Sequence, residues 1–284
     1  MSLGAATSAA GTTVALSPIG KRLLKLFFYG FIIFLYAPTI VLIVFSFNDS
    51  TVAAFPLAGL TTRWYSGAWQ EPTIREALLT SLKVAVAVAL VTTALGLLIS
   101  YALARRSFRV KAFVSALILV PLVVPTIVLG IALLILFKRG PVPIPLGLIA
   151  VGIGHVVIAL PFVVLLLMPR ISAIDRRLEE AAWDLGASGA TTFRKVILPL
   201  IMPSVLSSIL IAFVISIDEV VIASFLVQDQ VTYPLYLWGS LKFAERTMLL
   251  IPVATVMIVI SFAVVFLAEI LRRRGEVALG PDAP

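Results

Sequence analysis

Residues 146–217 read LGLIAVGIGHVVIALPFVVLLLM (146–168), then RISAIDRRLEEAAWDLGASGATTFRK (170–195), then VILPLIMPSVLSSILIAFVISI (196–217). The first and last pieces are each long enough to cross hydrocarbon as a helix, which takes ~20 apolar residues. The 26 residues between them are polar and patterned. Residues 174–185 suit a helix, with Leu178, Ala182 and Leu185 on one stripe. Gly186 stands where that helix stops, because glycine tolerates the left-handed cap. Ser188 is placed to start a second short helix. The pattern is a helix–glycine–helix elbow lying on a membrane surface between two spans.

Four further stretches qualify as spans. Leu26–Phe47, Val84–Ala104, Ala112–Phe137 and Thr247–Ala268 carry no charge, and Leu146–Met168 holds only His155. Internal prolines such as Pro121, Pro125, Pro161, Pro203 and Pro252 are tolerable where packed neighbours satisfy the freed carbonyls. Composition agrees. The chain is 61% hydrophobic and 13% charged, against ~45–50% and ~25% for a soluble domain. Cysteine is absent, which excludes a disulfide framework and thiolate metal sites. The expected architecture is an all-α integral membrane protein of six helices. Residues 1–20 are expected to form a flexible tail, 21–274 the membrane domain with its loop at 170–195, and 275–284 a second tail. No basic residue precedes Lys21, so the first span is read as uncleaved.

Lysine and arginine orient the spans. With the N-terminus in the cytoplasm, 15 of 22 basic residues fall on that side, among them Lys21, Arg22, Arg105, Arg106, Arg176, Arg177 and Arg272. Both termini and the elbow are then cytoplasmic. The net charge of +8 is a topology signal, and nucleic acid is not expected as a partner. The two long outer loops, 48–80 and 218–246, hold Trp64, Tyr65, Trp69, Tyr233, Tyr236 and Trp238, which suit interfacial anchors or a soluble partner.

Glu180-Ala181-Ala182, then Gly186, then Leu198-Pro199 resembles the EAA motif of binding-protein-dependent ABC importer permeases. The motif has an Ile two residues before its Leu-Pro, where this chain has Val196. The resemblance implies a type I ABC importer permease fold in a bacterial inner membrane. It implies an elbow that docks as a coupling helix in a groove of the ATPase. Small alanines allow close approach, a short helix gives a rigid lever, and glycine sets the bend. Ser46-Phe47-Asn48, Thr61-Thr62-Arg63-Trp64-Tyr65, Leu160-Pro161-Phe162 and Ser216-Ile217-Asp218-Glu219 are similar to the C-type permease of spermidine/putrescine importers, from about Leu24 to Arg272. The implied partners are an ATPase dimer holding ATP and magnesium, a second and different permease, an extracytoplasmic binding protein and the bilayer. One departure stands out. That subfamily often carries an acidic residue after a proline of the third span, and here Thr126 follows Pro125. Losing a carboxylate makes a less cationic solute, such as an amino acid or opine, plausible.

Asp218 and Glu219 are the candidate substrate-pathway residues. A helix rising ~1.5 Å per residue from Val196 carries Asp218 to the outer membrane boundary. Adjacent helical residues point ~100° apart, so one of the pair is expected to face the pathway. The competing role is to cap the end of the span or to pair with Lys242 or Arg246. No phosphate-binding Gly-x-x-x-x-Gly-Lys-Ser/Thr loop is present, so ATP hydrolysis is assigned to a partner and no cofactor to this chain. His155, beside Gly152 and Gly154, is expected to be neutral and hydrogen-bonded. A stand-alone secondary transporter would show broken helices at matching positions of a repeat, and no such repeat is visible. A membrane enzyme would need a catalytic constellation that the sequence lacks.

Overall fold

The computed structural model describes residues 17–141, 143–243 and 246–277. Among them regular structure is entirely helical: α1 (Pro18–Phe45), α2 (Arg63–Gln70), α3 (Pro72–Arg105), α4 (Lys111–Val123), α5 (Thr126–Arg139), α6 (Leu148–Ala173), α7 (Arg177–Asp184), α8 (Gly189–Thr192), α9 (Leu198–Ile217), α10 (Val221–Leu226), α11 (Tyr233–Ser240) and α12 (Thr247–Val277). A wider π-turn, Phe193–Ile197, joins α8 to α9. The expected tails lie mostly outside the described residues. At the near end α1 starts at Pro18, with Ser17 Oγ accepting from Gly20 N at 3.1 Å.

Five helices or helical runs are long and apolar enough to cross a membrane: α1, α3, α6, the run Gly189–Ile217, and α12. The expected third span is not one helix. α4 and α5 meet at 113°. Val124 precedes Pro125 and is extended (φ −76°, ψ 130°), as crowding by the proline ring requires. Pro125 therefore breaks the span instead of being absorbed by it. The two halves still amount to one crossing, because α3 and α6 are parallel. Val84 and Val88 of α3 pack with Ala150 and Val151 near the start of α6. Tyr101 and Ala104 pack with Leu167 and Ile171 near its end. The chain must return between them, and α4–α5 is the return. Six crossings result.

α3, α6 and α9 form the centre, and α12 packs on α9. Ser207 Oγ of α9 donates to Ala268 O of α12 at 2.8 Å. α1 buries no residue of its own and meets α12 through Tyr36 and Phe262, whose rings lie 5.8 Å apart. The C-terminal stretch of α12 lies beside that of α6, with Arg170 Nη2 donating to Arg272 O at 3.4 Å. At the opposite face α2 links α1 to the start of α12. Tyr65 OH meets Ser46 Oγ at 2.7 Å, Trp64 Nε1 donates to Asn48 O at 2.9 Å, and Ala68 packs with Leu250. The start of α1, the end of α12 and α7 therefore share one face.

Both expected outer loops are partly structural. α3 begins at Pro72, twelve residues before the expected span, since proline at N1 starts a helix whatever its polarity. Residues 221–226 of the second loop are partly core, although Ser224 is exposed. Ile222, Ala223 and Leu226 are fully buried against α5 and α6. Gly154 permits this approach, because a Cβ there would lie 2.5 Å from Ile222 Cγ2 and 2.8 Å from Leu226 Cδ1. Tyr233 is also buried rather than interfacial, its OH donating to Leu250 O at 3.0 Å.

Candidate functional site

The elbow forms as its sequence requires. α7 ends in a double hydrogen bond: Gly186 N donates to Trp183 O (2.8 Å) and Ala187 N to Ala182 O (2.9 Å). This is a Schellman cap, and Gly186 takes the left-handed φ of +82° it needs. Ser188 starts α8, its Oγ accepting from Thr191 N at 3.3 Å. The chain then widens into the π-turn before Leu198 and Pro199, the first two residues of α9. Pro199 offers no N–H to the preceding turn, which favours the wider winding there.

The face α7 presents outward is partly apolar. Glu180 and Ala181 are exposed and Ala182 is half-buried. Leu178, Trp183 and Leu185 are 47%, 50% and 89% exposed. Two members of the expected stripe, Leu178 and Leu185, thus lie on the surface rather than against the bundle. Glu179 points the other way. Its carboxylate meets Arg105 Nε at 2.5 Å and accepts from Tyr101 OH at 3.1 Å. Arg105 Nη2 donates to Ile174 O at 3.0 Å, and Arg176 Nη2 donates to Arg105 O at 3.1 Å. A cavity of about 160 Å³ opens beside this cluster, with Arg106, Glu180 and Trp183 on its wall.

Asp218 and Glu219 sit in a break between α9 and α10. Glu219 caps α10: Oε1 accepts from Val221 N (3.1 Å), and Oε2 from Ile222 N (2.9 Å) and Ala223 N (3.2 Å). Its Oε2 also lies 3.6 Å from His155 Nε2, while His155 Nδ1 meets Ser216 Oγ at 2.8 Å. His155 is seven residues into α6, so the carboxylate lies about 10 Å below the outer end of that helix. The pair is therefore within the bundle and not at its outer rim, because the chain continues into buried α10. Glu219 has both oxygens engaged by backbone N–H groups. Asp218 is exposed, and Ser261 Oγ donates to its Oδ2 at 3.4 Å. Among the described residues neither Lys242 nor Arg246, the expected alternatives, pairs with it; Arg246 Nη1 donates to Tyr236 OH at 3.3 Å.

The two candidate sets are not brought together. The elbow residues occupy one face and the carboxylates the interior. Reading by motif passed over Glu179, Arg105, Tyr101 and Ser216. A signal existed for the first: Glu179 and Glu180 are adjacent on a helix and so point ~100° apart, which sends one inward.

Residues 92–276 match the family profile described as "Binding-protein-dependent transport system inner membrane component". The chain is 37% identical over 269 residues to the spermidine/putrescine transport system permease protein PotC of Shigella flexneri, covering 93% of this chain and 99% of that one. It is 34% identical over 215 residues to the putrescine transport system permease protein PotI of Escherichia coli K12, covering 74% and 76%. Among solved structures, a chain of a bacterial ABC transporter that imports alginate superposes with a TM-score of 0.69 at 16% identity, covering 89% and 94%. That likeness concerns the fold.

Proposed function

The chain belongs to the family of binding-protein-dependent transport system inner membrane components, and on that premise we propose that it is the permease subunit of an ATP-driven polyamine importer. Relatives that the chain covers by 99% and 76% of their length are named for spermidine/putrescine and putrescine transport. The observation that carries the cationic substrate is Asp218, an exposed carboxylate at a helix break inside the bundle. A charge at such depth is costly unless it faces water or a cation. Broken helices at membrane depth are tolerated where they line a cavity. Asp218 offers the cation its contact, and Glu219 holds the break open by capping α10.

Glu180, Ala181, Ala182, Gly186, Leu198 and Pro199 form the coupling element. An ATPase dimer carrying ATP and magnesium receives the exposed face of α7, and this chain hydrolyses nothing. The basic residues around the elbow support a cytoplasmic location for it and for both termini. The exposed apolar flank of α1 suits lipid or the helices of a second permease, and the resemblance to the spermidine/putrescine permeases favours a different chain for that partner. A binding protein delivers the solute from outside. Thr126, in the place of an acidic residue, favours a second reading with a less cationic solute such as an amino acid.

The test is uptake by the whole complex in proteoliposomes, comparing putrescine, spermidine and amino acids. Asp218→Asn is expected to lower polyamine uptake about tenfold, the scale of one lost charge contact, with basal ATP hydrolysis retained. Polyamine uptake unchanged in Asp218→Asn defeats the cation role. Uptake of an amino acid alone transfers the assignment to the second reading.

A further inference from the structure

We infer that Arg105 and Glu179 are positioning residues that form the joint through which the elbow moves α3. The inference rests on the coupling role proposed above.

The elbow is covalently continuous with α6, which leads into it, and with α9, which leaves it. α3 is not attached in that way. It is the third central helix and packs along both of the others. A displacement of the elbow reaches α3 through its packing on α6 and α9 and through direct side-chain bonds, and the direct bonds lie at the C-terminal end of α3. Glu179 in the first turn of α7 pairs with Arg105 in the last turn of α3. Both side chains are almost closed to solvent, at 8% and 5% exposure. The same guanidinium reaches Ile174 O, at the end of α6, by a second nitrogen at 3.0 Å. One planar fork thus ties three elements, which a lysine ammonium does not reproduce. Arg176 returns a hydrogen bond to the backbone of Arg105 at 3.1 Å. Tyr101, one turn earlier on α3, donates to Glu179 and sets its ring against Phe193 at 5.1 Å and 76°. Phe193 lies in the π-turn, so α3 is clasped at both the beginning and the end of the elbow.

A buried ion pair is not a general source of stability, because desolvation offsets the attraction. It does fix geometry, since removal of one partner strands the other charge out of water. The division of labour in α7 is then physical. Glu180 is exposed and faces outward, while Glu179 is buried and faces α3. The first is available to a partner; the second holds the lever to the bundle.

The test uses the complete complex in proteoliposomes, with its ATPase, second permease and binding protein. The variants are Arg105→Gln, Glu179→Gln, the exchanged pair Arg105→Glu/Glu179→Arg, and Glu180→Lys for contrast. The two single variants are expected to retain the ATPase on purification. Their solute moved per ATP falls about a hundredfold or more, the scale expected for a stranded buried charge. The exchanged pair recovers most of that loss, and Glu180→Lys loses the ATPase itself. Solute per ATP within about twofold of wild type in both singles, a difference near assay noise, overturns the inference. So does loss of the ATPase from the singles to the extent seen in Glu180→Lys, which would make the pair a docking element. If the singles fail to insert, Tyr101→Phe decides, since it keeps the ion pair and removes one donor: reduced coupling supports the joint and normal coupling overturns it. A wild-type complex whose ATP hydrolysis ignores the binding protein refutes the coupling role itself, an outcome distinct from failure of the joint alone.

Discussion

Gly186 gives the most direct test of the elbow, because its requirement is conformational and nothing else. A Cβ at Gly186 would meet no atom within 4 Å, so alanine introduces no clash. What it meets is the φ of +82°, which costs an L-residue about 1–2 kcal/mol. Alanine also stiffens the unfolded chain, which offsets about 0.4–1 kcal/mol. The net cost is about 1 kcal/mol, a fall of about fivefold in the bent elbow relative to alternatives. Asparagine visits the left-handed region more readily and should lose less. Proline locks φ near −65°, so the Schellman cap cannot form, and the 2.8 Å bond from Gly186 N to Trp183 O disappears with the N–H. The expected order of uptake per ATP is glycine, asparagine, alanine, then proline, with proline inactive. The assay is reconstituted transport at matched membrane levels, with insertion checked by immunoblot. A proline variant that transports as well as the alanine variant would refute the claim that the bend is needed. An asparagine variant no better than alanine would show that φ is not the controlling quantity.

Two further outcomes follow from the fold. A cysteine at position 60, where Leu60 is 81% exposed, should react with impermeant maleimide from outside only, and labelling from the cytoplasm alone would invert the topology. Gly154→Ala should lower the melting temperature in detergent, because its Cβ would lie 2.5 Å from Ile222 Cγ2 and overpacking of this kind costs about 1–3 kcal/mol. Ile222→Ala should restore part of that loss, and an unshifted Gly154→Ala protein contradicts the close approach of α10 to α6.

Features governed by local rules were legible. Gly186 and Ser188 announce their caps because cap chemistry depends on a few neighbouring atoms. Span positions follow from apolar length, though not span ends: α3 starts at Pro72 because backbone propensity, not hydropathy, sets a helix end. The bend at Pro125 was readable from the pre-proline restriction on Val124 and was missed by treating every internal proline as absorbed. The burial of α10 was harder. Val221–Leu226 is too short to register as a span, and its place against α5 and α6 is a tertiary fact that depends on the absent side chain of Gly154. The sequence showed no repeat with matching breaks, yet the structure interrupts helices twice, at Val124–Pro125 and at 218–220. Asp218 and Glu219 looked equivalent in sequence, and only the three N–H groups around Glu219 separate them.

The parallel course of α3 and α6 has an electrostatic consequence. Parallel neighbours align their macrodipoles, so the two C-terminal ends, each carrying about half a negative charge, meet at the same face and repel. Arg105 sits at the end of α3 with one nitrogen on the carbonyl of Ile174, where α6 terminates, and Arg170 lies in the last turn of α6. Cations there screen like poles that lipid, with its low permittivity, would not. The same arginines that favour a cytoplasmic place for this face therefore also help two co-directed helices to lie side by side, and replacing them with neutral residues is expected to weaken both.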